Sequence, residues 1–247
     1  MSDNIWMFHR IRVEGYKISN MYDKRGMLHE YIELIELIDK AIKEGKKFGS
    51  INEALEDENT IHLTFDDGYK EHLLVAKKLK KIYNFSSDVI TFSINIRNSF
   101  YDKKLCMDMM YKYFENKSSN VDFRRVKNRI FKTKMHIEKL NRHVDTMDEY
   151  FLNEVELKTL SQLFNIGSHC VNHCFLTSLD DDEIYYELNK SKCILEESLN
   201  IDIKTVCYPE GASSIRIRKM AKEMGYKFGL SISSGEGHYM IGRGIPR

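Results

Sequence analysis

Short runs of apolar and β-branched residues alternate along the chain with stretches in which apolar positions recur every three or four residues. The first kind runs from Ile5 to Val13, Ile61 to Phe65, Val89 to Ile94, Thr205 to Tyr208 and Phe228 to Ile232, and predicts short buried strands. The second is carried by Leu28, Tyr31, Ile32, Ile35, Ile38 and Ile42, by Leu73, Ala76, Leu79 and Ile82, and less strictly by Ile184, Leu188, Cys193, Ile194 and Leu199; it predicts helices. Alternation of the two predicts parallel βα units and an α/β fold. Residues 103–164 break the alternation with mostly helical pattern, and we expect a helical insertion there, inside the same domain. Pro209 and Pro246 both sit at the ends of expected strands, where a missing N–H costs least, and mark strand exits.

The chain has 247 residues, 42% of them hydrophobic, enough for one sizeable core; a single domain over 1–247 is expected. Its 38 basic and 37 acidic residues nearly cancel, so no long-range field points to nucleic acid. Met1-Ser2-Asp3-Asn4 leads straight into Ile5-Trp6-Met7-Phe8 without the basic and apolar regions of a secretory signal, and no apolar run approaches the roughly 20 residues of an integral membrane segment. Five cysteines without a CxxC pair fit reduced thiols, so a cytoplasmic protein is expected. The basic stretch Arg124-Arg125-Val126-Lys127-Asn128-Arg129, with Lys132 and Lys134, could bind a phosphate-bearing substrate or lie on a membrane surface. Its plainer reading is a solvated helix face, as for Lys77-Lys78-Leu79-Lys80-Lys81. The oligomeric state is left open by the sequence.

Three short segments carry chemistry. Thr64-Phe65-Asp66-Asp67-Gly68-Tyr69 follows a predicted strand and precedes a predicted helix, which puts two carboxylates at a strand's C-terminal end. Adjacent acids repel; a cation would offset that cost and leave one carboxylate free as a base, although Asp-Asp-Gly alone is an ordinary turn sequence. In Ile166-Gly167-Ser168-His169-Cys170-Val171-Asn172-His173, two imidazoles four residues apart can face one ion from a helical turn or a compact loop. Two histidines and a carboxylate make a facial triad with open positions. Cys170 and Cys174 could instead form a sulfur-containing zinc site, but lack the usual structural-zinc spacing. In Val206-Cys207-Tyr208-Pro209-Glu210-Gly211, a strand end runs into a loop and a helix starting near Ser213 or Ser214, and loop N–H groups can face a developing oxyanion.

The order TFDDGY, IGSHxxxH and YPxG resembles the polysaccharide deacetylase family, with its NodB homology domain, from Phe8-His9-Arg10 to Arg243-Gly244-Ile245-Pro246-Arg247 apart from the insertion. The resemblance implies a distorted (β/α) barrel in which Asp66 is the base, Asp67, His169 and His173 bind one divalent metal, and the backbone N–H of Glu210 lies in the oxyanion hole. The chain departs from the family at Cys170, where Ser or Thr is usual, at Glu210, where an aromatic is usual, and at Cys207, where an arginine often stands. A C-terminal Leu-x-His segment is missing too. Met7-Phe8-His9-Arg10-Ile11 is similar to the permuted subgroup that includes poly-N-acetylglucosamine deacetylases, which makes His9 the candidate general acid and His238 the reserve. Without the motif arginine, Arg243 or Arg247 would orient Asp66.

The resemblance implies a metal-dependent hydrolase that removes an N-acyl group, acetyl by default and formyl as the variant, from a sugar. Zinc is the first choice of metal, with cobalt, nickel, manganese or iron also suited to two histidines and one carboxylate. A cytoplasmic enzyme would meet a nucleotide- or lipid-linked precursor of surface polysaccharide. Two other readings fit the same residues: a catalytically degenerate carbohydrate-binding member of the fold, and a hydrolase of non-sugar amides.

Overall fold

The computed structural model describes residues 4–16, 18, 20–23, 26–101, 151–233 and 238–244. Ten strands occur among them: β1 (Ile5–Phe8), β2 (Arg10–Arg12), β3 (Leu28–Glu30), β4 (Lys47–Phe48), β5 (Thr60–Phe65), β6 (Ile90–Ile94), β7 (Asn165–Ser168), β8 (Thr205–Cys207), β9 (Phe228–Ser231) and β10 (Ile241–Gly242). Eight of them form one sheet in the order β1-β5-β6-β7-β8-β9-β10, with β4 also on β5, and every pairing is parallel. Beyond β10, Gly244 pairs with Trp6 of β1, its carbonyl accepting from Met7 N at 2.8 Å and its N–H donating to Ile5 O at 3.0 Å. That contact brings the two edges together, and the fold is a distorted (β/α) barrel.

The strands read as apolar runs because both faces are covered: β5 is buried from Thr60 to Phe65, and β6 from Ile90 to Ile94. Phe8, Phe65 and Phe92 are register partners on β1, β5 and β6, and their rings stack at 5.3 and 4.9 Å. His9 and Asp66 are the next residues after two of those phenylalanines, so the aromatic ladder fixes the ends from which they project. The helices Tyr31–Lys43, Glu71–Tyr83, Glu154–Ser161 and Ile215–Glu223 bury apolar stripes such as Leu34, Ile38 and Ala41 against the sheet.

Several elements differ from the sequence expectation. The run Ile5–Val13 divides at His9 into β1 and β2, which enter different sheets. Leu28 belongs to β3, and the helix expected from it starts at Tyr31 behind a capping box of Glu30 and Glu33. The run starting at Thr205 leaves the strand after Cys207, ahead of Pro209, and Ser214 caps the next helix as expected. The loose spacing from Ile184 to Leu199 has a physical origin: residues Tyr186–Lys190 form a π-helical turn between the α-helical stretches Asp181–Tyr185 and Ser191–Leu199. Of the expected insertion, residues 103–150 with the basic stretch lie outside the described residues, as do Pro246 and Arg247; the described remainder includes the helix Glu154–Ser161. No helix among the described residues is long and apolar enough to cross a membrane.

Candidate active site

Because every strand of the closed sheet is parallel, the residues that follow the strands collect at one mouth. His9 follows β1, Asp66 and Asp67 follow β5, His169 follows β7, Cys207 ends β8 and Arg243 follows β10. Among the described non-glycine residues, six have positive φ. Asn84 and Asn200 are left-handed helix caps, an ordinary use of asparagine. The other four, Asp67 (76°), Cys170 (63°), His173 (50°) and Glu210 (56°), are all in the three chemistry-bearing segments. Backbone strain gathered in this way marks a functional site.

Asp67, His169 and His173 converge. Asp67 Oδ1 is buried, has no partner of ordinary hydrogen-bond geometry among the described residues, and lies 3.4 Å from His169 Nε2 and 3.3 Å from His173 Nε2. One ligand atom from each of the three lies within 4.8 Å of the others. His169 Nδ1 is 2.7 Å from the Cys207 carbonyl, so it carries the proton and turns Nε2 toward Asp67. An orphaned carboxylate oxygen facing an oriented imidazole fits a divalent cation, and the two-nitrogen, one-oxygen donor set suits zinc and its neighbours.

Asp66, His169 and Cys207 form a second group of possible ligands, but it is poorly suited to a cation. Arg243 donates to both Asp66 oxygens at 2.8 Å and to Cys207 Sγ at 2.8 Å, which places a positive charge inside that cluster. Burial also pushes the Cys207 thiol up, keeping it protonated. Cys170 and Cys174 belong to neither group, so the ligands of the alternative sulfur site are not gathered among the described residues.

Burial works against an ionised Asp66, yet Arg243, with His169 and His9, holds the carboxyl well below the usual carboxylate range. Asp67 is also held low against burial, by His169 and His173. Burial and the neighbouring His169 lower His173, which stays neutral. Burial opposes a charged His169 too, but Cys207, Asp67 and Asp66 raise it; with the Cys207 thiol protonated, the two carboxylates carry that pull.

His9 Nε2 is 3.9 Å from Asp66 Oδ2, with its side chain 17% exposed at the mouth. Its carbonyl is gripped by His72 Nε2 at 2.6 Å, and the next residue, Arg10, is buried against Glu71 and the rings of Tyr69 and Tyr22. Glu210 sits in the turn Pro209–Gly211, steadied by Ser231 Oγ donating to Gly211 O at 2.8 Å, and its charge is felt at His173. His238 lies against Phe228, the first residue of β9 and so at the end away from the mouth.

Thus His9, Asp66, Asp67, His169, His173 and Arg243 come together, while His238 does not. Three groups that hold the histidine loop, Asn95, Arg97 and Glu187, belong to none of the sequence motifs.

The family model for polysaccharide deacetylase matches residues 125–229. Over those residues the chain is similar to the polysaccharide deacetylase family. Similarity to that family suggests a hydrolase acting on N-acetylated sugars. The Streptococcus pyogenes deacetylase PplD in complex with acetate is similar at 18% identity over 99% of this chain and 92% of its own, with a TM-score of 0.66. IcaB from Ammonifex degensii follows at 12% identity, covering 98% and 91%, with a TM-score of 0.62. The deacetylase domain of BpsB from Bordetella bronchiseptica has 13% identity, covering 98% and 95%, with a TM-score of 0.61. At such identities the likeness is one of fold. No curated protein sequence matches the chain.

Proposed function

We propose that this chain is a metal-dependent carbohydrate N-deacylase in which Asp67, His169 and His173 hold one divalent cation, zinc as first choice, Asp66 is the base and His9 the acid. The observation that carries the reading is the buried Asp67 oxygen within 3.4 Å of two imidazole nitrogens, next to a carboxylate locked by Arg243. A bound cation would supply Lewis-acid polarisation of the acyl carbonyl and added acidity to water beside it.

Asp66 is ionised at neutral pH, and Arg243 fixes the plane of its carboxylate. It accepts the proton of the attacking water as the water oxygen bonds to the acyl carbon. The N–H of Glu210, presented by the strained turn, faces the oxyanion. His9, on the open side of Asp66, donates a proton to the sugar nitrogen as the C–N bond breaks, since an amide anion is too poor a leaving group. Amide and water become a carboxylic acid and an amine. Asp66, Asp67 and His169 are each no more than 5% exposed, so these charges act in a nearly dry site.

The substrate in this reading is an N-acylated sugar carried on a nucleotide or lipid, met in the cytoplasm during surface-polysaccharide assembly. The described cysteines, all free, support a reducing compartment. The test uses purified chain with stoichiometric zinc, and measures release of acetate, formate or amine from nucleotide sugars, peptidoglycan fragments and simple amides. Asp66→Asn is expected to lower kcat/KM about 10²–10⁴-fold with metal binding intact. Turnover equal to the unsubstituted chain would remove Asp66 as the base.

A further inference from the structure

The loop that carries both imidazoles is held from two sides. Left-handed backbone at Cys170 and His173 costs roughly 1–2 kcal/mol at each non-glycine residue, so the surroundings must impose it. The carbonyls of the loop are gripped from the exit of β6. Asn95 Nδ2 donates to His169 O and Cys170 O at 3.3 Å, Ile96 N to Cys170 O at 3.2 Å, and Arg97 N to Val171 O at 3.0 Å.

Two of the loop's N–H groups, those of Val171 and Asn172, are gripped by a single side chain. Glu187 Oε2 accepts from Val171 N at 2.9 Å and Asn172 N at 2.8 Å, and Oε1 accepts from Asn172 Nδ2 at 2.6 Å. Asn172 Oδ1 in turn accepts from Arg97 Nη1 at 3.1 Å, so the amide bridges the two grips. Glu187 is 4% exposed, and a carboxylate that dry is tolerated only when donors replace its water.

Glu187 belongs to the π-helical turn Tyr186–Lys190, and the carbonyls that the turn frees are taken up locally. Ser191 Oγ donates to Glu187 O or Leu188 O at 2.7 and 3.0 Å, and Tyr226 OH donates to Leu188 O at 2.9 Å. Ser191 Oγ also lies 2.7 Å from Ser168 Oγ, which accepts from Cys170 N at 3.2 Å. The π turn is therefore bolted to the strand end and the loop at the residues flanking His169. Rare turns of this kind persist where a function requires the side chain they aim.

We infer that Glu187 is a positioning residue of the metal site, setting the aim of His173 relative to His169 through Val171 and Asn172. This rests on the reading of Asp67, His169 and His173 as metal ligands. Glu187 contacts the loop backbone and Asn172, and it acts on the cation through them.

Titration of the folded chain with Co²⁺, followed by its visible absorption and by calorimetry, tests the inference. Glu187→Gln and Asn172→Asp should each weaken Co²⁺ binding about 10–100-fold, the usual range for residues that orient metal ligands. The double variant exchanges acceptor and donor. The new amide's oxygen can take the two backbone N–H groups while its nitrogen donates to the new carboxylate, which still accepts from Arg97. This variant should recover affinity to within about threefold of the original. Single variants that bind Co²⁺ as tightly as the unsubstituted chain, or a double variant no better than the weaker single, overturn the inference. Should Glu187→Gln not fold, Asn172→Ala takes its place with an expected weakening of about tenfold, and unchanged affinity sinks the idea. An unsubstituted chain that takes up no Co²⁺ overturns the metal reading itself, a separate result from unaltered variants of a chain that does.

Discussion

Replacing Arg243 by methionine removes the one cation that, among the described residues, touches both Asp66 oxygens. In the folded chain the guanidinium donates to Asp66 Oδ1 and Oδ2 at 2.8 Å, to Thr64 Oγ1 at 3.1 Å and to Cys207 Sγ at 2.8 Å, with both partners of the ion pair at least 97% buried. Breaking a buried pair from one side leaves an uncompensated charge and costs about 3–5 kcal/mol. At about 2–4 °C per kcal/mol for a chain of this size, the melting temperature should fall by roughly 6–20 °C. The loss should also depend on pH. Asp66 has a folded pKa below its unfolded value, so its stabilisation is fully present above the unfolded carboxylate range and is lost as pH falls toward the folded pKa. The difference between Arg243→Met and the original chain should therefore be largest at neutral pH and shrink below about pH 4. The acid limb of kcat/KM should move upward by about 1–3 pH units, the span an adjacent arginine typically imposes on an aspartate. Urea unfolding and acetate release across a pH series measure both. A variant whose stability deficit is the same at pH 2 and pH 7, and whose acid limb does not move, would falsify the assignment of Arg243 as the group that keeps Asp66 ionised.

Three further outcomes follow from the same geometry. His62 is fully buried between Gly49 O and Thr91 Oγ1, and burial pushes it down to about 4. Its folded pKa lies below the unfolded value, so the unfolded chain takes the proton first and stability falls as pH drops from about 6.5 toward 4. Between pH 7 and 5 the loss from this residue is about 2 kcal/mol; urea unfolding of His62→Gln should show a correspondingly flatter pH slope, and an identical slope refutes it. Gly211 has φ +67°, and a Cβ there would lie 2.4 Å from Ile232 Cγ1 and 2.8 Å from Ile232 N, so Gly211→Ala should displace the Glu210 turn and cut turnover about 10²-fold. Gly225→Ala, at φ +85° with its closest neighbour Lys192 Cε at 3.9 Å, serves as the control, losing about 1 kcal/mol and no activity. Phe65→Ala should cost about 3–5 kcal/mol in urea unfolding because it empties the middle of the Phe8–Phe65–Phe92 stack, and a loss below about 1 kcal/mol is inconsistent with that packing.

The parallel strands were legible because burial on both faces leaves an apolar run, as in β5 and β6. The short strands β3, β4 and β10 were not: two or three residues carry no period, and their pairing is a tertiary matter. Asp66, Asp67, His169 and His173 could be picked out because three motifs in order restrict chemistry more than any single one. Arg243 was only a candidate, since an isolated arginine near a chain's end has no local signature of burial. Glu187 gave one oblique sign, the slackened spacing from Ile184 to Leu199, which is what an extra residue in a helical turn produces. A mid-helix glutamate otherwise reads as solvated, and the partners that reverse that reading lie fifteen and sixteen residues away.

Metal dependence is tested most directly by measuring metal content and amine release in the same samples: the chain as purified, after chelation, and after return of zinc. One cation per chain is expected, with activity lost and regained together with it, and both lost in Asp67→Ala and His169→Ala. Amine release that persists in the chelated, metal-free chain would contradict that dependence.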